Sequence, residues 1–595
     1  MRHFTYKMHP TIIVMITFMQ LFYVGAVKAA TAPANETAMT EQDYRNLATW
    51  SGVSLDIKVD LTGDKPTYEG KIKLKLDAET SDGPVLLLNT RDVSIKVLEV
   101  TVTSTNRTLP NYTVEKGIPN PNQGNGTLIV IHFDSPVTQS TEIEVAYKAE
   151  YVAEQGMVFH KPELSFASKY TGWYPSPIAD EEELMSIQSV AMPGKIMYVV
   201  PKRWSALSNG KLVEDKVVGN VKHQTWVSET NVGWSYIAAP YSVSTTTIGD
   251  IDVSTYMLNK DPKVGEDKAK MVARLLALLQ EKFGPYPYKS FAVAEMPDET
   301  SDYFGGVSEQ GFIIAESKNF THGYGLTLFS HEVGHAWWGN QFGCTGPGSS
   351  ICSEGLAQIG TILGTELVDG KQAMIDMMDV SSEGYTPYQS ARGFFAMWRN
   401  GDDIPLDQVD GWKIHRLMDS KGMWFWQMLR NEVGDDKFFA VLRSLSDGRM
   451  RFSLDELAEY FIDHTKLDLD YFFDQWMRRA GAPVIDMSWE AINPVALDKY
   501  RGGGMRETII FGDREGPKTI RITLIQEQKE LYKLKPEIEI QFYYAPSVIK
   551  VVEFYAQKKT FEFELEGMIK DIVLDPQHKI LMWRPAYGPK PNLGK

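Results

Sequence analysis

His331-Glu332-Val333-Gly334-His335-Ala336-Trp337-Trp338-Gly339-Asn340 is the stretch around which the rest of this 595-residue chain is read. On a helix, positions i and i+4 share a face, so His331 and His335 can both reach one metal ion. Glu332 sits one residue along the same turn, where it can act on water without ligating the metal. With 11 histidines in the chain, chance supplies this five-residue pattern only about 0.01–0.02 times, so an accidental match is a poor explanation. A catalytic zinc takes three protein ligands and leaves a fourth position open. Glu354, in Ser353-Glu354-Gly355-Leu356-Ala357, is the candidate third ligand. The turn formers Gly343 to Ser350 (GCTGPGSS) end the first helix and let a second begin near Ser350, with Glu354 in its first turn.

Moving outward, the pattern changes on both sides of this region. Upstream, Lys71 to Leu76 (KIKLKL) and Glu142 to Tyr147 (EIEVAY) alternate with period two, as strands with one wet face do. Between about Asp252 and Gly481 the periodicity is helical. Ala269 to Leu279 carries an apolar stripe, and Ser453 to Glu456 has capping-box spacing. From Ala482 onward alternation returns in Thr519 to Leu524, Glu537 to Phe542 and Phe561 to Leu565. The expected organisation is 1–29 as a signal peptide, 30–248 as a β-rich domain, 249–481 as the helical catalytic domain and 482–595 as a β-sandwich. The whole is α+β and multidomain, in keeping with a core size that rarely exceeds roughly 250–300 residues.

Composition bounds the function. Hydrophobic residues make up 43% and the formal charge is −16, which excludes a polytopic membrane protein and argues against a general nucleic-acid binder. Arg2 and Lys7 precede the uncharged run Thr11 to Val27, and Lys28-Ala29-Ala30 follows it. This is the layout of a cleaved signal peptide, with an uncleaved membrane anchor as the alternative. Export to the periplasm or the extracellular space is expected. In that setting Cys344 and Cys352, the only two cysteines, can form a disulfide that staples the loop between the two ligand motifs. Two buried thiols or soft extra metal ligands are the alternatives.

The stretch His331–Asn340 resembles the extended motif of the zinc aminopeptidases of the membrane alanyl aminopeptidase type, a gluzincin family with HExxH, eighteen residues and then Glu. Phe283 to Tyr288 (FGPYPY), Lys421-Gly422, Phe472 to Trp476 (FFDQW) and Gly481-Ala482-Pro483 resemble further family segments. The resemblance implies an N-terminal β-saddle, a thermolysin-like catalytic domain and a C-terminal sandwich. It implies one zinc ion per chain on His331, His335 and Glu354, Glu332 as general base, and peptide substrates. No nucleic acid and no obligate protein partner are expected.

Two positions depart from the family pattern. Gly306-Val307-Ser308-Glu309-Gln310 aligns with the family's Gly-x-Met-Glu-Asn. The resemblance makes Glu309 the residue that binds a substrate's free amino group, with Ser308 and Gln310 replacing Met and Asn. Two residues before Lys421-Gly422 the family has a tyrosine that donates to the reaction's oxyanion, and this chain has Asp419. An ionised carboxylate cannot donate. His415, Tyr385 and Tyr388 are the candidate substitutes. An exported zinc metallopeptidase acting as an aminopeptidase is therefore expected. The alternatives are a zinc hydrolase of internal peptide bonds or non-peptide substrates, and a peptide-binding protein that keeps zinc after losing efficient catalysis.

Overall fold

The computed structural model describes residues 50–76, 85–90, 93–102, 112–119, 127–133, 141–151, 158–178, 190–258, 261–298, 300, 305–320, 325–380, 389–410, 413–446, 452–492, 518–567 and 569–593. The expected signal segment, Tyr385 and Tyr388 lie outside the described residues. The architecture is multidomain α+β, and its contacts divide it into two compact units. One comprises Met1–Ala277 and Tyr286–Leu328, the other Leu278–Pro285 and Phe329–Lys595. Among the described residues, no helix is long and apolar enough to cross a membrane.

In the first unit, the two alternating runs read from the sequence form neighbouring strands. Thr67–Leu76 pairs antiparallel with Thr141–Tyr151, placing Leu74 opposite Ile143 and Ile72 opposite Val145. All four side chains are buried, because a period-two pattern puts every second residue on the same face. These strands belong to a seven-stranded sheet, accompanied in the unit by two four-stranded sheets and one five-stranded sheet. The five-stranded sheet begins with the hairpin Ser242–Ile248 and Ile251–Met257, so it takes strands from both sides of residue 248. Ile251–Met257, Ser290–Met296 and Phe312–Glu316 run parallel. The parallel step from the first to the second needs a long crossover, and the helix Pro262–Phe283 lies in that connection. Gly306–Glu309 pairs antiparallel to Phe312–Glu316 and brings Glu309 opposite Phe312.

The second unit opens with helices and ends with strands. Its capping box is formed as the spacing implied, with the Ser453 hydroxyl accepting from the Glu456 backbone and the Glu456 carboxylate accepting from the Ser453 N–H. Beyond the helices stand two three-stranded antiparallel sheets. Within them Ile520, Ile522 and Leu524 are buried on one strand, and Ile538, Ile540 and Phe542 on another, while the residues between them face outward.

Candidate metal centre

The helix Leu326–Gly334 carries His331 and Glu332. Its last turn continues into His335, whose backbone N–H donates to the His331 carbonyl at 3.2 Å. The chain then doubles back. Trp337 and Trp338 are fully buried and stand edge-on to Phe283, with ring centroids at 5.7 and 5.1 Å. Gly339 has φ +96°, a conformation that side chains disfavour. This reversal places the Trp338 carbonyl 2.9 Å from Nδ1 of His335. With the proton held on Nδ1, the lone pair of Nε2 faces inward, as a ligand nitrogen requires.

Glu354 is the first residue of the helix Glu354–Asp369, after a short 3₁₀ turn at Ser349–Cys352. Cys344 and Cys352 are joined by a disulfide with Cα atoms 5.8 Å apart. The two ligand helices approach closely because glycines face each other. A Cβ on Gly360 would lie 2.6 Å from the Ser330 carbonyl oxygen, and one on Gly334 would lie 3.0 Å from that of Ala357. At the start of the second helix, the Trp426 indole N–H donates to the Ile351 carbonyl at 2.8 Å, and Gly355 leaves room for that ring.

The result is a compact triad. Nε2 of His331 and Nε2 of His335 are 3.1 Å apart, and Oε2 of Glu354 lies 3.4 Å from the first and 3.5 Å from the second. Tetrahedral ligands at about 2.0–2.1 Å from a zinc ion stand roughly 3.3 Å from one another. Two imidazole lone pairs and a carboxylate oxygen at this spacing fit a shared divalent cation. His331, His335 and Glu354 thus form a group able to hold a metal ion. Nδ1 of His331 is buried without a hydrogen-bond partner.

Electrostatics mark the triad as a place that draws positive charge, whether proton or cation. Burial pulls both imidazoles down, but contact with Glu354 outweighs it, raising His331 and taking His335 up to about 9. Burial also opposes ionisation of Glu354, yet the two histidines hold its carboxyl well below the usual range. The Glu332 side chain is buried, and that burial pushes its carboxyl up against the pull of His331 and His335. A carboxylate with raised proton affinity is suited to general-base work near neutral pH.

Sequence reasoning singled out His415 and Asp419 but not the form of the segment that carries them. Residues Ile414–Gly422 form a π-helix, a rare form that clusters at functional sites. It carries His415 and Asp419, which form a second group with Glu354. Nδ1 of His415 is 3.8 Å from Oε2 of Glu354. Asp419 is buried, and its two oxygens accept from the side-chain amides of Gln358 at 3.0 Å and Gln389 at 3.1 Å. Gln358 lies one turn along the Glu354 helix, so Asp419 ties that helix to the π-helix. Lys421 of the Lys-Gly pair is also buried, donating to the Arg479 carbonyl at 2.8 Å and lying 3.5 Å from Asp403.

Glu309 belongs to the first unit. It is fully buried and accepts a hydrogen bond from the Ser168 hydroxyl. Burial pushes its carboxyl up, while the neighbouring Lys169 pulls it down. The stem of Lys169 runs against Gly233, where an added Cβ would lie 2.9 Å from its Cδ. Gln310 accepts from the Gly233 backbone N–H, so it clasps the same turn. The sequence marks this cluster at Glu309 and at the replacements Ser308 and Gln310, but not at Ser168, Lys169 or Gly233.

The fold is aminopeptidase-like. The chain is similar to an aminopeptidase A of Legionella pneumophila solved in complex with aspartic acid, with a TM-score of 0.60 at 13% identity over 91% of this chain. It spans 60% of that protein's length. No protein-family model and no curated protein sequence matches it.

Proposed function

We propose that the chain is an exported zinc-dependent peptidase that removes residues from the N-terminus of peptides, with the β-saddle, thermolysin-like and sandwich arrangement of the family its motifs resemble. The observation that carries this reading is the triad: two imidazole nitrogens and one carboxylate oxygen spaced for a zinc ion, with Glu332 beside them. A zinc ion held there would polarise the scissile carbonyl and lower the pKa of water to about 7. Glu332 would take the proton of the attacking water and deliver it to the leaving nitrogen as the C–N bond breaks. His335, oriented by the Trp338 carbonyl, would keep its ligand nitrogen in place. Glu309, as the family's pattern suggests, would receive the substrate's α-ammonium group.

One observation favours a second reading, a zinc hydrolase indifferent to a free N-terminus: the Lys169 ammonium already compensates the charge of Glu309. A peptide library presented with free and with acetylated N-termini, followed by mass spectrometry, separates the two. Trimming confined to free N-termini supports the aminopeptidase. Internal cuts, or equal cleavage of both forms, support the second reading, and no cleavage with zinc bound would leave a binding protein. Glu309→Ala should raise KM for free-amine peptides and hardly change it for acetylated ones; equal losses on both would assign Glu309 to the fold.

A further inference from the structure

We propose that His415 donates the hydrogen bond that stabilises the substrate's carbonyl oxygen as it becomes negative during hydrolysis. This rests on the peptidase reading and supplies the group that reading lacks, because Asp419 occupies the family's donor position. The step requires a proton donor near the open side of the triad. Water oxygen bonds to the carbonyl carbon, Glu332 holds the water's proton, and the carbonyl π pair moves onto oxygen. That charge needs a partner until the C–N bond breaks and the nitrogen takes up the proton.

Asp419 does not fill the role. Both its oxygens accept from glutamine amides, and burial on the π-helix holds it in a structural link between two helices. His415 differs in each respect. Its Nδ1 lies 3.8 Å from Oε2 of Glu354, the oxygen that also faces both ligand imidazoles. At that distance the contact is not a hydrogen bond, so Glu354 does not consume the donor. Its side chain is 39% exposed, against 13% for His331 and His335, so a substrate can reach it. His415 groups with Glu354 and Asp419 within 4.8 Å but not with the two ligand histidines, which places it beside the ligand set rather than in it. An imidazole carries at least one N–H whether neutral or protonated, so the donor persists across the pH range.

The test uses the full zinc-loaded chain with His415→Phe and His415→Gln. Steady-state kinetics would use a peptide cleaved by the wild type. Calorimetry would measure a phosphinic dipeptide, whose tetrahedral anion mimics the charged oxygen, against the planar amino acid product. His415→Phe should lower kcat and phosphinic affinity about 10²-fold with KM within about threefold, zinc content unchanged. His415→Gln, which keeps an N–H, should recover part of both. Unchanged kcat and phosphinic affinity in His415→Phe, equal losses for both ligands, or loss of zinc would overturn the proposal. If the wild type cleaves no peptide yet binds the phosphinate through His415, the peptidase reading fails and with it the catalytic role, leaving His415 as a donor to bound anions only. If it neither cleaves nor binds, both fail.

Discussion

His335 shows how one side chain joins the proposed metal site, a proton and the fold. Its Nε2 points at Glu354 and His331, and its Nδ1 is spoken for by Trp338. His335→Ala should therefore lose zinc, whereas Glu332→Gln should keep it and lose nearly all hydrolysis; metal analysis of both proteins checks this, and stoichiometric zinc in His335→Ala would remove His335 from the ligands. The same nitrogen makes the chelated protein sensitive to pH. Its value rises from 6.5 to about 9 in the fold, so folding retains a proton that the unfolded chain gives up. That stabilisation is complete below about 6.5 and disappears as pH rises through about 9. In excess chelator, the melting temperature should fall across that window in calorimetry, and His335→Ala should flatten the fall. Protons and zinc compete for this nitrogen, so zinc binding should strengthen over the same rise.

Between elements, the distance that matters is the one between the two ligand helices. It is set by glycine on each side, and the nearest atoms to an added Gly360 Cβ are backbone: the Ser330 oxygen at 2.6 Å and the Gly334 Cα at 3.3 Å. Backbone cannot rotate away as a side-chain tip can. Gly360→Ala should separate the helices, weaken zinc binding at least about tenfold and destabilise the fold by about 1–3 kcal/mol, the usual cost of overpacking. Competition with a chromogenic chelator, together with thermal denaturation, measures both effects. The Cys344–Cys352 bridge acts on the loop that joins these helices. Its short span limits the entropic gain to about 2–3 kcal/mol. A double change to serine should lower thermal stability by about that much and weaken zinc binding because Glu354 starts its helix two residues after Cys352. Unchanged zinc affinity would show that the Trp426 and Asp419 contacts hold that helix without the bridge.

At the scale of the molecule, the aminopeptidase-like fold is shared at 13% identity, so the same fold is built here from largely different side chains. Alternation survives such drift because any apolar residue can occupy the inward positions of a strand. The expectation that residues 1–29 form a signal peptide carries a prediction for the chain as a whole. Expressed with its first 29 residues in a secreting host, the protein should be recovered with Ala30 at its N-terminus, read by N-terminal sequencing. Recovery of the intact leader from the membrane fraction would make it an anchor.

Local spacing carried the triad. Histidines four apart meet because helical pitch alone brings them onto one face, and an early carboxylate on the next helix follows from turn chemistry before it. The same logic made the strands 67–76 and 141–151 legible, though not the fact that they pair. What the sequence could not convey are meetings between elements far apart in the chain. His415 and Asp419 reach Glu354 because an i→i+5 turn and helix packing bring them there, and no residue pattern near 415 encodes a π-turn. No sequence pattern marks Gln358 and Gln389 as the two amides that hold Asp419. Lys169 stands beside Glu309 from 140 positions away, in a gap that exists because Gly233 lacks a side chain. Sequence by itself determined the spacing of the two histidines and the alternation of the strands, since both depend on backbone periodicity. Only the tertiary structure decided their neighbours, since those depend on how closely separate elements pack.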